Sequence, residues 1–571
     1  MTTTEASPAD RKRWFVLVSI ALSALITTID SSVLTVAIPT IIRDFDSSLP
    51  SVQWVLTGYS LVVASLLIIG GRLGDVFGHR GTFVGGALLF AAGSLLATVS
   101  WSVPTLFVGE ALIEGIGAAL MLPATLAVIS ITFQGRERAT AFAVWGAVIG
   151  FGVSIGPVIG GVLTSELSWR WAFGINLVVA PLSALGVLLF LPRGERDRRR
   201  PRLDVAGAAL VSSGLFLLVF GISEGGRYGW WRPLEGLTIG GTEVWPSSRP
   251  VSVTAVVFAV AAVLLIAFVA VERRKERAGR DPLFEFGQLR HRGFRYGLLT
   301  NAVLAMGQVG LMFVLSVFLQ DAVGLSALDT GWWLLPMGPA IIVGSRAGAS
   351  MTHRVGITAT VRWGLVLQCS GLSIAAIFAN PTVAFVTMCV AVVLFGVGIG
   401  IASSQLTNVV LSDVSDEKSG VASGINNTMR QVGAALGIAI VGTILAVQTV
   451  HHTTAEIRAS GLSPAVQADA IKGVRTASSN YRPPAEAPPA VAATLEHAVV
   501  QGVGDATSPA LWFTVGTSLL GIAFSFLIPR IATPPRPSDD VSRTMEFLES
   551  LEAIEPIEPS RDVVLGPRAS D

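Results

Sequence analysis

Charged residues are scarce in this sequence of 571 residues. Only 14% of its residues are Asp, Glu, Lys or Arg, whereas soluble domains carry about 25%. Half of the chain (51%) is hydrophobic, and the mean hydropathy is +0.64. So few charges cannot cover a water-exposed surface of this size, which excludes a soluble enzyme and a disordered chain. The formal net charge of +1 provides no basic field for nucleic acid, so we expect no such partner.

Cysteine is nearly absent as well. Cys369 and Cys389 both lie in apolar runs, where packing is the simplest role for them, so we expect neither a disulfide framework nor a metal site. The chain also lacks a G-x-x-x-x-G-K-[ST] run that would bind a nucleotide. We therefore expect no cofactor, and an ion gradient as the driving force for any uphill transport. No nucleophile–base pairing or metal-spaced histidine cluster favours a membrane enzyme.

Long apolar runs are what the sequence does have. A helix needs about 20 apolar residues to cross a hydrocarbon core of about 30 Å. Backbone groups must be paired in lipid and no barrel-like alternation occurs, so these runs predict an all-α integral membrane protein. Fourteen spans are predicted, at 14–38, 52–71, 82–100, 104–128, 139–163, 171–192, 205–223, 251–271, 296–319, 330–350, 358–379, 382–411, 420–447 and 510–529.

Basic residues cluster in every second connection. They are frequent in 193–202 and 273–295 and nearly absent from 101–103 and 320–329. Positively charged connections stay in the cytoplasm. The pattern therefore predicts a multi-pass protein of the cell (plasma) membrane with both termini in the cytoplasm.

Three polar segments are not predicted to span. Residues 224–250, with three tryptophans, and residues 448–508, rich in Ala and Pro, are predicted to be outer loops. The acidic tail 531–571 is predicted to be cytoplasmic.

Three carboxyl side chains fall inside predicted spans, where an ionisable group costs at least about 2.5–3.5 kcal/mol and is a functional candidate by default. At 1.5 Å per residue, Asp30 lies roughly 13 Å from the outer end of its span. Glu110 and Glu114 lie roughly 9 and 15 Å deep in theirs, on one helix face. Close like charges in low dielectric cannot all stay ionised, which is the chemistry of a site that exchanges H⁺ for a cationic ligand. The alternative is that each acid simply bonds a neighbouring helix or vestibule water.

Two glycine-rich segments are mechanical candidates. Gly152, Gly156 and Gly160 are spaced four residues apart and therefore share one helix face, with Pro157 and Gly161 beside them. A second helix could approach this face closely and slide along it; static packing is the alternative. The turn GRLGDVFGHR (71–80) combines flexible glycines with charges that could form a breakable cytoplasmic gate; an ordinary basic turn is the alternative. The gate residues are Gly71, Arg72, Gly74, Asp75, Gly78 and Arg80. A weak repeat of this turn, SRAGASMTHR, occurs at 345–354 and suggests a duplicated core.

These motifs together resemble the major facilitator superfamily, in particular its fourteen-helix drug:proton antiporter branch of multidrug exporters. GRLGDVFGHR is similar to the superfamily signature, although the family Arg after the acid is Val76 here. IDSSVLTVAIP (29–39) places Asp30 on the branch's first-helix acid, with Thr35 replacing an Asn. GVSIGPVIGG (152–161) resembles the antiporter motif. The branch is also matched by SWRWAFGIN (168–176) and by the segments around Gln320 and Arg430. Gln320 and Arg430 are possible contacts of the second bundle.

One departure from the family pattern concerns the fourth helix. Its motif begins with an Arg and has a Gln four residues later, and here Glu110 and Glu114 occupy those two positions. The family Arg is implicated in proton coupling. The reversed charge implies a different stoichiometry, a different ion, or a preference for cationic substrates.

The resemblance implies two pseudo-symmetric six-helix bundles with two extra helices between them, and alternating access around a central cavity. The implied segments are a cytoplasmic N-terminus 1–13, a first bundle 14–192, a linker 193–295 containing the helices 205–223 and 251–271, a second bundle 296–530 with the outer loop 448–508, and the tail 531–571.

The leading functional prediction is proton-coupled export of amphipathic, cationic small molecules such as antibiotics or dyes by a monomer in contact with membrane lipid. One alternative is export of an endogenous lipid or secondary metabolite. Another is a ligand-binding sensor or scaffold that moves nothing.

Overall fold

The computed structural model describes most of the chain. The N-terminal seven residues, the connection 193–203 and the predicted tail 531–571 lie outside the described part. The described residues are 8–133, 135–192, 204–239, 242–280, 282–284, 286–412, 419–484 and 486–529.

The N-terminal bundle consists of helices that pack on one another before residue 192. α1 packs on α6 and α8, and α3 packs on α5 and α8. Two π-helical stretches occur in this bundle: Phe107–Glu114 joins α4 to α5, and Leu163–Leu167 extends the end of α6. The helices are α1 (Pro8–Asp44), α2 (Leu49–Phe77), α3 (His79–Thr98), α4 (Val103–Leu106), α5 (Gly115–Thr132), α6 (Gly135–Val162), α7 (Trp171–Gly174) and α8 (Asn176–Phe190).

The C-terminal bundle is built in the same way, with α11 packing on α16 and α18, and α14 packing on α15. A π-helical stretch, Phe318–Ala322, extends α11. The helices are α11 (Arg292–Val317), α12 (Ala327–Leu334), α13 (Met337–Val355), α14 (Ile357–Ile377), α15 (Phe385–Leu411), α16 (Ser419–Ala459), α17 (Pro464–Ala477) and α18 (Pro489–Leu527).

Between the bundles, α9 (Val205–Tyr228) and α10 (Val253–Arg277) form a hairpin. Their first turns are capped by side chains, because Asp204 accepts from the Gly207 amide and Ser252 from the Thr254 amide. α9 also packs on α2 and on α16, so it touches both bundles. A short helical turn, Phe286–Arg290, leads into α11.

Two ends of the molecule are named here. The end with the α1–α2 turn at 45–48 is called distal, and the end with the α2–α3 turn at Gly78 is called proximal. Gly78 has φ +92°, and Gly356, between α13 and α14, has φ +87°. Glycine adopts this backbone region without steric cost. The sequence repeat aligns Gly78 with Thr352, so the second helix break falls four residues later than the repeat predicts.

The number of spans is only partly as predicted. Twelve described helices are long and apolar enough to cross a membrane. Helices also occupy the other two predicted positions, α6 for 139–163 and α13 for 330–350. α6 and the π-helical stretch after it contribute only the shorter apolar stretch Ile155–Leu167. α13 carries Arg346 at its midpoint and Arg354 near its proximal end.

The prediction that 448–508 is an outer loop is wrong for most of that segment. α16 continues to Ala459, α17 follows, and α18 begins at Pro489. α16 has 41 residues and is about 60 Å long, twice the hydrocarbon core. The three helices are held by apolar contacts, and the buried side chains include Ile457, Ala470, Val474, Tyr481 and Leu495.

The predicted loop 224–250 is also partly ordered, and the all-α prediction needs one correction. α9 continues to Tyr228, and β1 (Leu237–Ile239) pairs antiparallel with β2 (Thr242–Trp245), Thr238 facing Glu243. β-branched Thr, Ile and Val residues, which favour strands, supply most of this pair.

Candidate functional site

The three carboxyl groups predicted from the sequence meet inside the N-terminal bundle. One oxygen from each of Asp30, Glu110 and Glu114 lies within 4.8 Å of the other two. The exposed fractions are 1%, 0% and 0%. We call this group the acid cluster. The structure thus brings together residues from α1 and from the π-helical stretch that precedes α5.

The π-helical stretch determines how the two glutamates are presented. A π-helix has i→i+5 hydrogen bonds and occurs mostly as single turns, often at functional sites. Glycines let this stretch pack closely on α3, since a methyl group added at Gly109 would lie 2.7 Å from the Ala97 backbone nitrogen. Both glutamates consequently face away from lipid and into the bundle, where they are fully buried.

Asn176, the first residue of α8, bridges the acid cluster. Its side-chain Nδ2 donates to Asp30 Oδ1 at 2.9 Å and to Glu114 Oε1 at 3.1 Å. Asn176 is not among the candidate residues predicted from the sequence, although it is the last residue of SWRWAFGIN and stands as a lone amide before an apolar run. That position was the available signal, because a buried amide in lipid must find a partner.

Several oxygens of the acid cluster are left without a partner. Asp30 Oδ2, Glu114 Oε2 and both carboxyl oxygens of Glu110 are buried and accept no hydrogen bond from a described residue. Three carboxylates this close cannot all be ionised, so at least one must hold a proton. A proton shared between two carboxyls would satisfy two of these four oxygens. Tyr59 of α2 also interacts electrostatically with all three acids.

Cations are the other ligands that suit the acid cluster. Carboxylate oxygens bind hard metal ions, but Ca²⁺ takes six to eight oxygen ligands and Mg²⁺ about six. The acid cluster brings together one oxygen from each of three carboxyls, and Asn176 presents its Nδ2 and not its oxygen to two of them, so water would have to supply the rest of a metal ion's shell. The donor set fits a proton or a ligand's ammonium group more simply.

The predicted gate residues surround the α2–α3 turn at the proximal end. Arg72 Nη2 donates to the Pro282 carbonyl and Arg80 Nη2 to the Leu188 carbonyl, both at 2.5 Å. These two acceptors are backbone carbonyls of the linker and of α8. The Asp75 side chain lies outside the described part.

The gate glycines serve the turn itself. Gly78 has the positive φ that ends α2. A methyl group at Gly74 would lie 2.5 Å from His79 Nδ1, and one at Gly71 would lie 3.6 Å from Pro123 Cβ. Gly74 therefore makes the tighter of these two contacts.

The glycine face of α6 packs directly on α1. A methyl group at Gly156 would lie 2.6 Å from Ser32 Cβ, one at Gly160 would lie 2.9 Å from Val33 Cα, and one at Gly152 would contact Thr28 at 3.2 Å. The predicted close approach of a second helix at these glycines is thus what the structure shows, with α1 as the second helix.

The distal end of α6 instead touches the C-terminal bundle. A methyl group at Gly161 would lie 2.6 Å from the Ala327 carbonyl oxygen, and one at Gly331 would lie 2.5 Å from the Pro157 carbonyl oxygen. The Leu328 amide donates to Ser165 Oγ at 3.1 Å. α6 and α12 therefore join the two bundles at the distal end.

Gln320 and Arg430, the two candidates in the second bundle, differ in what they contact. Gln320 Nε2 donates to the Val36 carbonyl of α1 at 2.8 Å, so it crosses between bundles. Arg430 is exposed, and its guanidinium donates to Asn427 Oδ1 of its own helix at 3.1 and 3.2 Å. Neither residue reaches the acid cluster through these bonds.

Comparison with known proteins agrees with this architecture. The family model of the Major Facilitator Superfamily matches residues 20–438, which includes the acid cluster, the gate and α6. The chain belongs to the major facilitator superfamily. This superfamily protein is therefore a membrane transporter by family, with a small molecule as its cargo, rather than an enzyme.

Its relatives include named resistance and export proteins. The puromycin resistance protein pur8 of Streptomyces alboniger is 34% identical over 81% of this chain and 86% of its own. The probable actinorhodin transporter of Streptomyces coelicolor is 32% identical over 77% and 74%. Among solved structures, a bacterial homologue of the human lysosomal transporter Spinster matches with a TM-score of 0.60 at 16% identity, covering 93% of this chain and all of that one. That likeness concerns the fold.

Proposed function

We propose that this superfamily protein exports amphipathic, cationic small molecules of the antibiotic or secondary-metabolite class in exchange for protons. The names of the relatives support the class of cargo. The observation that carries the exchange is the acid cluster, in which three buried carboxyls share one site. A cationic cargo and a proton would compete for the same negative charge.

The proposal includes a topology of fourteen crossings with two bundles of six and α9–α10 between them. Helices at all fourteen predicted positions support this count. We place the proximal end in the cytoplasm, because the basic connections lie there. Both termini are then cytoplasmic and the protein resides in the plasma membrane.

The proposed mechanism is alternating access. In this structure α6 and α12 hold the distal ends of the bundles together, so the acid cluster would open toward the proximal side. A cation arriving there displaces the shared proton, and separation of α6 from α12 would expose the cargo at the distal side. Rebinding of a proton from outside would then release the cargo.

The test is proton release driven by ethidium, a cationic dye, in sealed vesicles containing the purified protein. We expect Asp30→Asn, Glu110→Gln and Glu114→Gln each to reduce this release by roughly tenfold or more, because each removes one of the competing charges. Glu166→Gln, an exposed acid on the distal stretch after α6, is the control and should behave like the wild type. Unchanged proton release in all three acid variants would overturn the exchange mechanism.

A further inference from the structure

A lateral cavity lies between the N-terminal bundle and the extra helix α9. It has a volume of about 430 Å³, and its walls come from α2, from the π-helical stretch and from α9. The lining includes Gly58, Val62 and Ser65 on α2, Phe107 on the stretch, and Ser212 and Phe216 on α9. Phe216 lies twelve residues before the distal end of α9, or about 18 Å at 1.5 Å per residue. The cavity is therefore at mid-membrane depth.

One polar group faces this largely apolar space without a partner. Ser212 Oγ is buried and forms no hydrogen bond with any described residue. A serine inside a helix usually donates to the carbonyl four residues earlier. A hydroxyl left free at the wall of a cavity can bond a polar atom of a molecule inside it.

A carboxylate and three aromatic rings lie at the distal end of the same helix pair. The Trp54 ring lies 6.1 Å from that of Phe216 and 5.8 Å from that of Phe220. Trp54 Nε1 donates to Glu224 Oε1 at 2.7 Å. Phe216 thus belongs both to this aromatic group and to the wall of the cavity.

The Glu224 carboxyl group lies beside these rings and is largely buried. It is only 8% exposed, and no described Lys or Arg forms an ion pair with it. The nearby cation, Arg227, is engaged by Glu235, whose two oxygens lie 3.1 Å from its Nε and Nη2. Negative charge beside aromatic faces is the environment that attracts an alkylammonium group.

The spacing of these features fits one elongated molecule. Eight residues separate Phe216 from Glu224, which is about 12 Å along the helix. A cationic head at Glu224 would place an apolar body of that length in the cavity. The inner wall of the cavity, Phe107 and Leu112, belongs to the stretch that carries Glu110 and Glu114.

We propose that the cleft between α2 and α9 is a membrane-facing binding site for an amphipathic cation, with its ammonium group at Glu224 and Trp54 and its apolar body in the cavity. The role of this cleft as the loading site for the exported cargo rests on the proposed function. The site collects the molecule from the bilayer, and the acid cluster lies on the other side of the stretch that forms its inner wall.

The test is equilibrium binding of radiolabelled dodecyltrimethylammonium to the full-length protein in phosphatidylcholine nanodiscs, without any gradient. Glu224→Gln keeps an oxygen that accepts from Trp54 but removes the charge. We expect it to raise the Kd of dodecyltrimethylammonium about tenfold and to leave that of radiolabelled dodecanol unchanged. Ser212→Phe, which fills the cavity, should weaken both ligands. Glu166→Gln, the exposed acid on the distal stretch after α6, should weaken neither.

Two outcomes would overturn the proposal. The first is that the Glu224→Gln and Ser212→Phe variants both bind dodecyltrimethylammonium with the wild-type Kd. Both variants must elute as intact monodisperse particles for this comparison. The second is an equal loss of both ligands in Glu224→Gln, which would indicate an acyl-chain site for lipid. Binding is measured here without transport, so the two proposals can fail separately. If the variants show the expected binding pattern but ethidium drives no proton release, the proposed function is overturned and this binding site is retained.

Discussion

The interiors of the two bundles differ in the kind of polar group they bury. The N-terminal bundle buries three carboxyls and the amide of Asn176. The described interior of the C-terminal bundle instead has neutral groups, where Asn301 Nδ2 donates to Asn426 Oδ1 at 2.8 Å and the amide of Gln368 is fully buried. Under the proposed mechanism, charge exchange would therefore belong to the N-terminal bundle, while the C-terminal bundle would supply neutral polar surface.

The same asymmetry occurs at the proximal turns. Arg72 in the first copy binds the Pro282 carbonyl of the linker. Its sequence counterpart Arg346 is exposed and forms no hydrogen bond or ion pair with another residue in the described part of the chain. Asp75 of the first copy corresponds to Ala349. Among the described residues, the contacts of the proximal turn, like the buried carboxyls of the acid cluster, therefore favour the first half.

The largest effect should come from the amide that holds the acid cluster. Asn176→Ala removes the donor to both Asp30 and Glu114, and hydrogen bonds to charged groups contribute about 1.5–3 kcal/mol each. We expect ethidium-driven proton release to fall tenfold or more. Asn301→Ala in the other bundle should leave the number of protons released per ethidium unchanged. A loss of coupling in both variants would break the comparison between the bundles.

A smaller effect is expected at the proximal turn. Arg72→Ala removes the contact with the linker and should slow ethidium transport several-fold, whereas Arg346→Ala should leave the initial rate close to wild type. Initial rates of ethidium transport at matched protein density provide the measurement. Equal rates in the two variants would show that the Pro282 contact does not distinguish the turns.

The smallest effect concerns the charges at the base of the α9–α10 hairpin. Burial alone would raise the pKa of Asp204, but hydrogen bonds with Glu272, Lys275 and the Gly207 amide lower it below its usual value. Because the pKa of Asp204 is lower in the folded protein than its unfolded value of about 3.9, ionised Asp204 stabilises the fold at pH values above about 3.9. That stabilisation is lost as the pH falls through the pKa of the folded protein.

Asp204→Asn retains a helix-capping oxygen and loses the ion pair with Lys275. We expect it to cost about 1 kcal/mol or less at pH 7, and to lower the thermal unfolding midpoint at pH 7 but not near pH 3. A difference from wild type that is the same at both pH values would contradict this assignment. Such a result would leave the importance of buried charge with the acid cluster and not with the ion pair of Asp204.

Much of this architecture was predictable from the sequence, since apolar runs of membrane length leave helices as the simplest structure. The depths of Asp30, Glu110 and Glu114 were also predictable, because rise per residue places each acid along its own helix. Their mutual contact was a hypothesis that required α1 to face the fourth predicted span, and only packing decides that.

Other features carry weaker signals. Asn176 is 62 residues from Glu114, so no local spacing links them. The distal helices 448–508 have the low hydropathy of a loop, yet Ala470 and Val474 are four residues apart on one buried face, which was a usable helical signal. The partnership of Trp54 with Glu224 spans 170 residues and depends on where α9 docks.

The π-helical turn beneath the glutamates has a geometric consequence. Such a turn contains one residue more than an α-helix would use over the same rise. If the surplus residue passed along the chain and the turn became α-helical, Glu110 would rotate by about 100° relative to Glu114. Such a change would separate the two carboxyls without any large movement of the helices around them.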